Sequence, residues 1–114
     1  MPIVIKRVYE NYSPDDGFRV LVDRLWPRGV GKEKARLDLW LKEVAPSPEL
    51  REWFGHDPAK FKEFSARYEA ELDNNPAIKQ LRALTKEHKT VTLLYAARDP
   101  QVNHAAILKG YLTD

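Results

Sequence analysis

The stretch Arg19-Val-Leu-Val-Asp-Arg-Leu-Trp-Pro-Arg-Gly29 most narrows what this chain can become. Val20, Leu21 and Val22 are apolar without alternation. A strand with one wet face alternates apolar and polar residues, whereas a continuous apolar run fits a strand covered on both faces, as in a parallel sheet packed between helices. The run then breaks into Asp23, Arg24, Trp26, Pro27, Arg28 and Gly29. In open α/β sheets, ligands sit outside the carboxyl ends of the strands, so a buried strand ending in charge and an aromatic ring marks a candidate site. At 114 residues the chain is expected to form one domain, residues 1–114, with a single core of modest size.

The rest of the chain supplies partners for that strand. Ile3 to Val8 is short and β-branched and predicts a first strand. Asn11 to Gly17 is a dense turn signal, and Phe18 to Leu25 is the second strand. The connection from Val8 to Phe18 is short for a parallel crossover, so these strands either pair antiparallel or are not neighbours. Gly31 to Arg36 predicts one or two helical turns. Leu37 to Val44 fits a strand (Leu37, Leu39, Leu41) or a helix (Leu37, Trp40, Leu41, Val44), and the sharp stop at Ala45-Pro46 tilts it towards strand.

Ser47-Pro48, Asp57-Pro58, Asn75-Pro76 and Asp99-Pro100 each place a capping side chain before a proline. The cap oxygen accepts from an orphan N–H, and proline at the first helical position gives up a donor that had no partner. Helices are therefore expected to begin near residues 48, 58, 76 and 100. Phe61, Phe64, Tyr68 and Leu72 form the apolar stripe of the second; Ile78, Leu81 and Leu84 belong to the third; Val102, Ala105 or Ala106, Leu108 and Leu112 belong to the last. Thr90 to Ala97 is the strongest strand in the chain. The order of elements predicts an α/β three-layer sandwich, with a small, mostly parallel sheet flanked by helices.

Two strand ends carry the candidate chemistry. If they point the same way, Asp23, Arg24, Trp26, Arg28 and Gly29 meet Arg98, Asp99, Asn103 and His104 at one rim. Arginine offers a planar fork for phosphate or carboxylate, and Gly29 and Gly31 allow close backbone approach. Arg24, Trp26, Arg28, Gly29, Arg98 and Asn103 are thus candidate ligand-binding residues. His104 with Asp23 is a candidate acid–base pair, because histidine titrates near neutrality. Structural roles compete at each position: Asp23 and Arg24 can satisfy a strand end, Trp26 can be core, and Asp99 can cap a helix.

Several chemistries are excluded. With no cysteine there is no disulfide, thiolate nucleophile or thiolate metal site. His56, His88 and His104 are scattered without ligand spacing, so no metal site is expected. Gly29-Val30-Gly31-Lys32 lacks P-loop spacing, no Gly-x-Ser-x-Gly elbow occurs, and no cofactor is expected. The chain opens Met-Pro-Ile-Val-Ile-Lys without a secretory leader, and no apolar run approaches the roughly 20 residues that span a bilayer. A cytoplasmic protein without a membrane partner is the expectation.

Leu21-Val-Asp-Arg-Leu-Trp-Pro-Arg-Gly-Val30, Leu39-Trp-Leu-Lys-Glu-Val-Ala-Pro-Ser47, Trp53-Phe-Gly-His-Asp-Pro58, Phe64-Ser-Ala-Arg-Tyr68 and Leu93-Leu-Tyr-Ala-Ala-Arg-Asp99 resemble the DUF488 family, in its YeaO-like branch. The resemblance covers nearly the whole chain and implies one α/β domain. Other branches look like they carry a Leu-Leu-Cys-Ala-Glu strand end and a Cys-His-Arg helix start. Here those positions read Leu93-Leu-Tyr-Ala-Ala97 and Asn103-His-Ala105. The histidine is kept as His104, and both cysteines are replaced, by Tyr95 and Asn103. Any thiol chemistry of those branches does not carry over, whereas a site built on Asp23, Arg24, Arg28, Asn103 and His104 can.

The expected function is binding of a small anionic ligand, phosphate- or carboxylate-bearing, at the carboxyl rim of the sheet, with room for acid–base catalysis by His104. The alternative is a non-catalytic module that binds nucleic acid or protein through Lys32, Lys34, Arg36 and the tryptophans. A formal net charge of only +2 counts against nucleic acid. The sequence places no constraint on oligomeric state.

Overall fold

The computed structural model describes residues 2–113. Four strands, β1 (Ile3–Arg7), β2 (Phe18–Leu21), β3 (Leu39–Trp40) and β4 (Val91–Tyr95), form one sheet in the order β1-β4-β2-β3. All pairs are parallel, with Ile3 and Phe18 both level with Val91. The last strand in the chain is therefore a central one. This resolves the short Val8–Gly17 connection: β1 and β2 are parallel but not neighbours, and β4 lies between them.

The return to the start of β2 uses no α-helix. A 3-10 turn at Pro14–Asp16 compacts it, held by a capping box between Ser13 and Asp16. Gly17 then lies against the entry of β4. Its φ is +66°, and a Cβ there would stand 2.3 Å from the Thr90 carbonyl oxygen. Phe18 N donates to that same oxygen at 2.9 Å, so only glycine lets the strand start this close.

The second strand stops at Leu21, short of the expected Leu25, for a local reason. Val22 N still donates to Leu94 O at 3.0 Å, but Ala96 N, just past the end of β4, is taken by the Asp23 carboxylate at 2.9 Å. A side chain replaces the backbone ladder. The ambiguous 37–44 segment divides: Leu39–Trp40 pairs with β2, Leu41 N donates to Leu21 O at 2.9 Å, and Lys42–Val44 curls into a 3-10 turn where β2 has ended.

The helices are α1 (Lys32–Ala35), α2 (Pro48–Phe54), α3 (Phe61–Asp73), α4 (Ala77–Glu87) and α5 (His104–Thr113). Ser47 Oγ accepts from Leu50 N at 3.2 Å and Asn75 Oδ1 from Ala77 N at 2.9 Å, as the caps predict. Asp57 accepts from Ala59 N at 3.0 Å and opens a 3-10 turn that runs into α3. The fourth boundary differs. Asp99 Oδ1 accepts from Gln101 N and Val102 N, yet the helix starts only at His104. Asn103 is the cap: its Oδ1 accepts from Ala106 N and its Nδ2 donates to Asp99 O, each at 2.8 Å. Asp99 builds a turn, and that turn aims Asn103.

Helices α2 to α5 cover one face of the sheet. Val20, Val22, Val91, Leu93 and Tyr95 meet Phe64, Tyr68, Leu72, Leu81 and Leu108 there. Tyr68 is fully buried, and its hydroxyl donates to Val44 O at 2.7 Å. Burial holds that phenol far above its usual pKa, with Glu71 and Asp23 adding to the shift. The opposite face carries Leu21, Leu94 and Val8 under Trp26, Val30 and Leu37. Its cover is α1 and irregular chain, so the fold is the expected α/β arrangement of a small parallel sheet with helices, and most of the helical cover lies on one face. Among the described residues, no helix is long and apolar enough to cross a membrane.

Candidate functional site

Because β2 and β4 are parallel, their carboxyl ends meet, and a cavity of about 630 Å³ opens at that rim. This size falls within the roughly 300–1,000 Å³ of small-molecule sites. Asp23, Arg24, Trp26 and Arg28 reach it from the β2 end, and Arg98, Asp99, Asn103 and His104 from the β4 end. The two clusters read from sequence thus line one concavity.

At its base lies a carboxylate–imidazole contact. His104 Nε2 stands 3.0 Å from Val22 O and 3.2 Å from Asp23 Oδ1. Both are acceptors, so Nε2 must carry the proton, which leaves Nδ1 as the ring's other polar atom. Donation goes to Val22 O. Asp23 Oδ1 is buried without a hydrogen bond of good geometry, while Oδ2 is satisfied by Ala96 N. The side chains of His104 and Asp23 are only 15% and 16% exposed. Asp23 therefore ties the ends of β2 and β4 together and also orients the imidazole.

Arg24 is largely structural. Its Nη2 donates to Ala45 O at 3.2 Å and Pro46 O at 3.3 Å, fixing the turn after β3 beneath the rim. Trp26 closes its own loop, Nε1 donating to Val30 O at 2.7 Å, and packs edge-to-face on Trp40 at 5.3 Å. Asn103 is 2% exposed, and its amide is spent within the turn and the cap. Gly29 is exposed with φ +77°; its conformation serves the Pro27–Val30 turn, and the cavity lining does not include it.

Among the cavity residues that the sequence analysis did not place in the site are Arg51 and His56. Arg51 comes from α2, and His56 from the loop after it. Nothing local marks Arg51; only the docking of α2 brings it to the rim. His56 had a signal: it follows Gly55, and both adopt left-handed backbone, φ +58° and +54°. A non-glycine residue in that region is uncommon.

Arg24, Arg28, Arg51 and Arg98 thus line the cavity together with two carboxylates, those of Asp23 and Asp99. Among the described residues, the guanidinium groups of Arg28, Arg51 and Arg98 have no ion pair. The backbone N–H of Val102, then that of Gln101, holds the Asp99 carboxyl below the usual carboxylate range. By formal charge, with four arginines and two carboxylates, the cavity lining is net positive.

A family model described as "Inactive DUF488-N3 subclade" matches residues 2–114. An uncharacterized protein of Mycobacterium tuberculosis (strain H37Rv) is 50% identical over 108 residues, covering 95% of this chain and 91% of that protein. The uncharacterized protein YeaO of Escherichia coli (strain K12) is 41% identical over 112 residues, covering 98% and 97%. No solved structure matches the chain at a comparable level. A family match and relatives that both run almost the full length place this chain in the DUF488 family.

Proposed function

We propose that this protein binds a small phosphate- or carboxylate-bearing molecule at the carboxyl rim of its sheet and holds it without covalent chemistry. One observation carries the reading: Arg28, Arg51 and Arg98, from three separate segments and without ion pairs among the described residues, line one cavity whose lining includes two carboxylates, those of Asp23 and Asp99. Charge-assisted, forked hydrogen bonds to an oxyanion are the natural use of such a set. The chain has no thiol, and Nε2 of His104 is already committed to Val22 O, which leaves little machinery for turnover. The word "inactive" in the description of the matching subclade agrees with binding over catalysis.

The alternative reading draws less support. Trp53 lies on α2 between Lys60 and Arg67, on the helical face, whereas Lys32, Lys34 and Arg36 belong to the other face, and Arg36 covers Tyr12. A thermal-shift screen of phosphate- and carboxylate-bearing metabolites tests the proposal. Stabilisation is expected, and Arg28→Ala should abolish it. Stabilisation left intact in that variant would overturn the assignment, and salt-sensitive retention on oligonucleotide without any metabolite shift would favour the nucleic-acid reading.

A further inference from the structure

The cavity is too large and too apolar for a bare oxyanion. Its walls include Trp26, Pro27, Pro46, Phe54, Phe64 and Val102. Phe54 and Phe64 are 4% and 1% exposed and stack on each other at 4.0 Å, so what they contribute is a rigid apolar floor. Arg28, Arg51 and Arg98 are exposed and belong to the mouth. Asn103, the buried polar residue between, has its amide spent inside the protein. The exposed guanidinium groups thus belong to the mouth, while the deeper wall combines the Phe54–Phe64 stack with the Asp23–His104 contact.

We infer that the ligand is two-ended: an aromatic or compact apolar body that enters over Phe54 and Phe64, carrying an anionic group that stays at the mouth on the arginines. This rests on the anion-binding reading above and adds the chemistry of the rest of the ligand. A body of that kind removes apolar surface from water, which stabilises the complex in proportion to the area covered. A hydrophilic anion such as inorganic phosphate leaves the partly exposed apolar walls at Trp26 and Val102 uncovered and gains only the rim contacts. Monoesters of phosphate with ring-bearing alcohols, or aromatic carboxylates, are the matching class.

The decisive measurement is titration calorimetry with methyl phosphate, phenyl phosphate and phenol, at one ionic strength. Phenyl phosphate should bind about ten-fold more tightly than methyl phosphate or phenol, with the more negative heat-capacity change that apolar burial gives. Arg98→Ala should weaken both phosphates by about the same factor. Phe54→Leu and, at a partly buried position of the wall, Val102→Ala should each narrow the gap between the two phosphates while leaving methyl phosphate unchanged. Equal affinities for the two phosphates would overturn the two-ended ligand but keep the anion site. Phenol binding as tightly as phenyl phosphate, or no binding by either phosphate, would overturn the anion reading itself.

Discussion

Arg19 lies beneath the sheet, 1% exposed, and its guanidinium donates to the Asp16 carboxylate, to Ala35 O at 2.8 Å and to Arg36 O at 3.1 Å. Arg28, Arg51 and Arg98 stand at the carboxyl rim, exposed and without ion pairs among the described residues. The two settings put the same side chain to opposite uses. Under the sheet, a charge taken out of water has to be matched donor by acceptor, because an uncompensated buried ion costs several kcal/mol. Lys6 completes that set with 3.1 Å contacts to both oxygens of Asp16. At the rim, water solvates the guanidinium groups, and they remain available to an incoming anion. Compensation separates an arginine that holds the fold from one that can hold a ligand.

The most damaging way to break the comparison is at Asp16. Asp16→Asn leaves Arg19 buried without its counter-charge and should cost about 3–5 kcal/mol. The effect should also depend on pH. Burial pushes the Asp16 carboxyl upward, but the Ser13 backbone N–H, Lys6 and Arg19 together outweigh it, so the folded pKa lies below the ordinary 3.8. As pH falls, the unfolded chain therefore takes up this proton first. The stabilisation is complete above the unfolded pKa and is lost as pH falls through the folded one. Urea unfolding of wild type and variant should show a wide gap at about pH 7 that narrows below about pH 4. A gap that stays constant would mean that Asp16 does not act through its charge.

A smaller effect is expected at Asp23, which has one foot in each category. It satisfies Ala96 N as a strand end, while its Oδ1 faces His104 without a proper donor. Asp23→Asn keeps a carbonyl for Ala96 but turns an NH₂ towards Nε2–H. Either two donors then face each other, or the proton moves to Nδ1 and Nε2 is left against Val22 O. Both arrangements cost roughly 1–2 kcal/mol, the penalty of a buried polar group with the wrong partner. Long-range proton–nitrogen spectra of His104 should report the Nε2–H tautomer in the wild type at mildly alkaline pH. An Nδ1–H tautomer there, or a variant as stable as wild type, would contradict the contact described.

Part of this was legible in the sequence. The uninterrupted apolar run Val20–Val22 suggested a parallel sheet, and strands that point the same way bring their polar ends to one rim. Asp23, Arg28, Arg98 and His104 follow from that alone. Strand order was not legible, because β4 pairs with partners far away in sequence, and no local pattern encodes which strand it will separate. The start of α5 was misplaced since two capping side chains, Asp99 and Asn103, compete four residues apart, and only the three-dimensional turn shows which one wins. Arg51 was invisible because exposure on a short helix is the ordinary state of arginine; its meaning comes from where α2 docks. The Arg19–Asp16 pair was missed for a related reason. Alternation along β2 puts Arg19 on the thinly covered face, and whether that face is wet depends on Ala35 and Arg36 closing over it.

The smallest expected change is the one that sharpens the comparison most. Arg28→Ala and Arg98→Ala should each alter unfolding free energy by no more than about 0.5 kcal/mol, as surface substitutions without partners do. Arg28 enters the fold through its backbone, whose carbonyl accepts the Tyr9 hydroxyl at 3.0 Å, and alanine keeps that carbonyl. Arg98 is exposed just beyond β4, and its truncation leaves Arg7 Nε donating to Ala97 O at 2.8 Å. Removing both should give the sum of the two small effects, because neither shares an ion pair with the other. Repulsion among the rim guanidinium groups would even make the double variant slightly more stable at low salt, and added salt should erase that gain. A loss well above 1 kcal/mol from either single variant would mean that the rim arginine is compensated within the fold after all. It would then belong with Arg19, and the cavity would lose the charges on which its ligand depends.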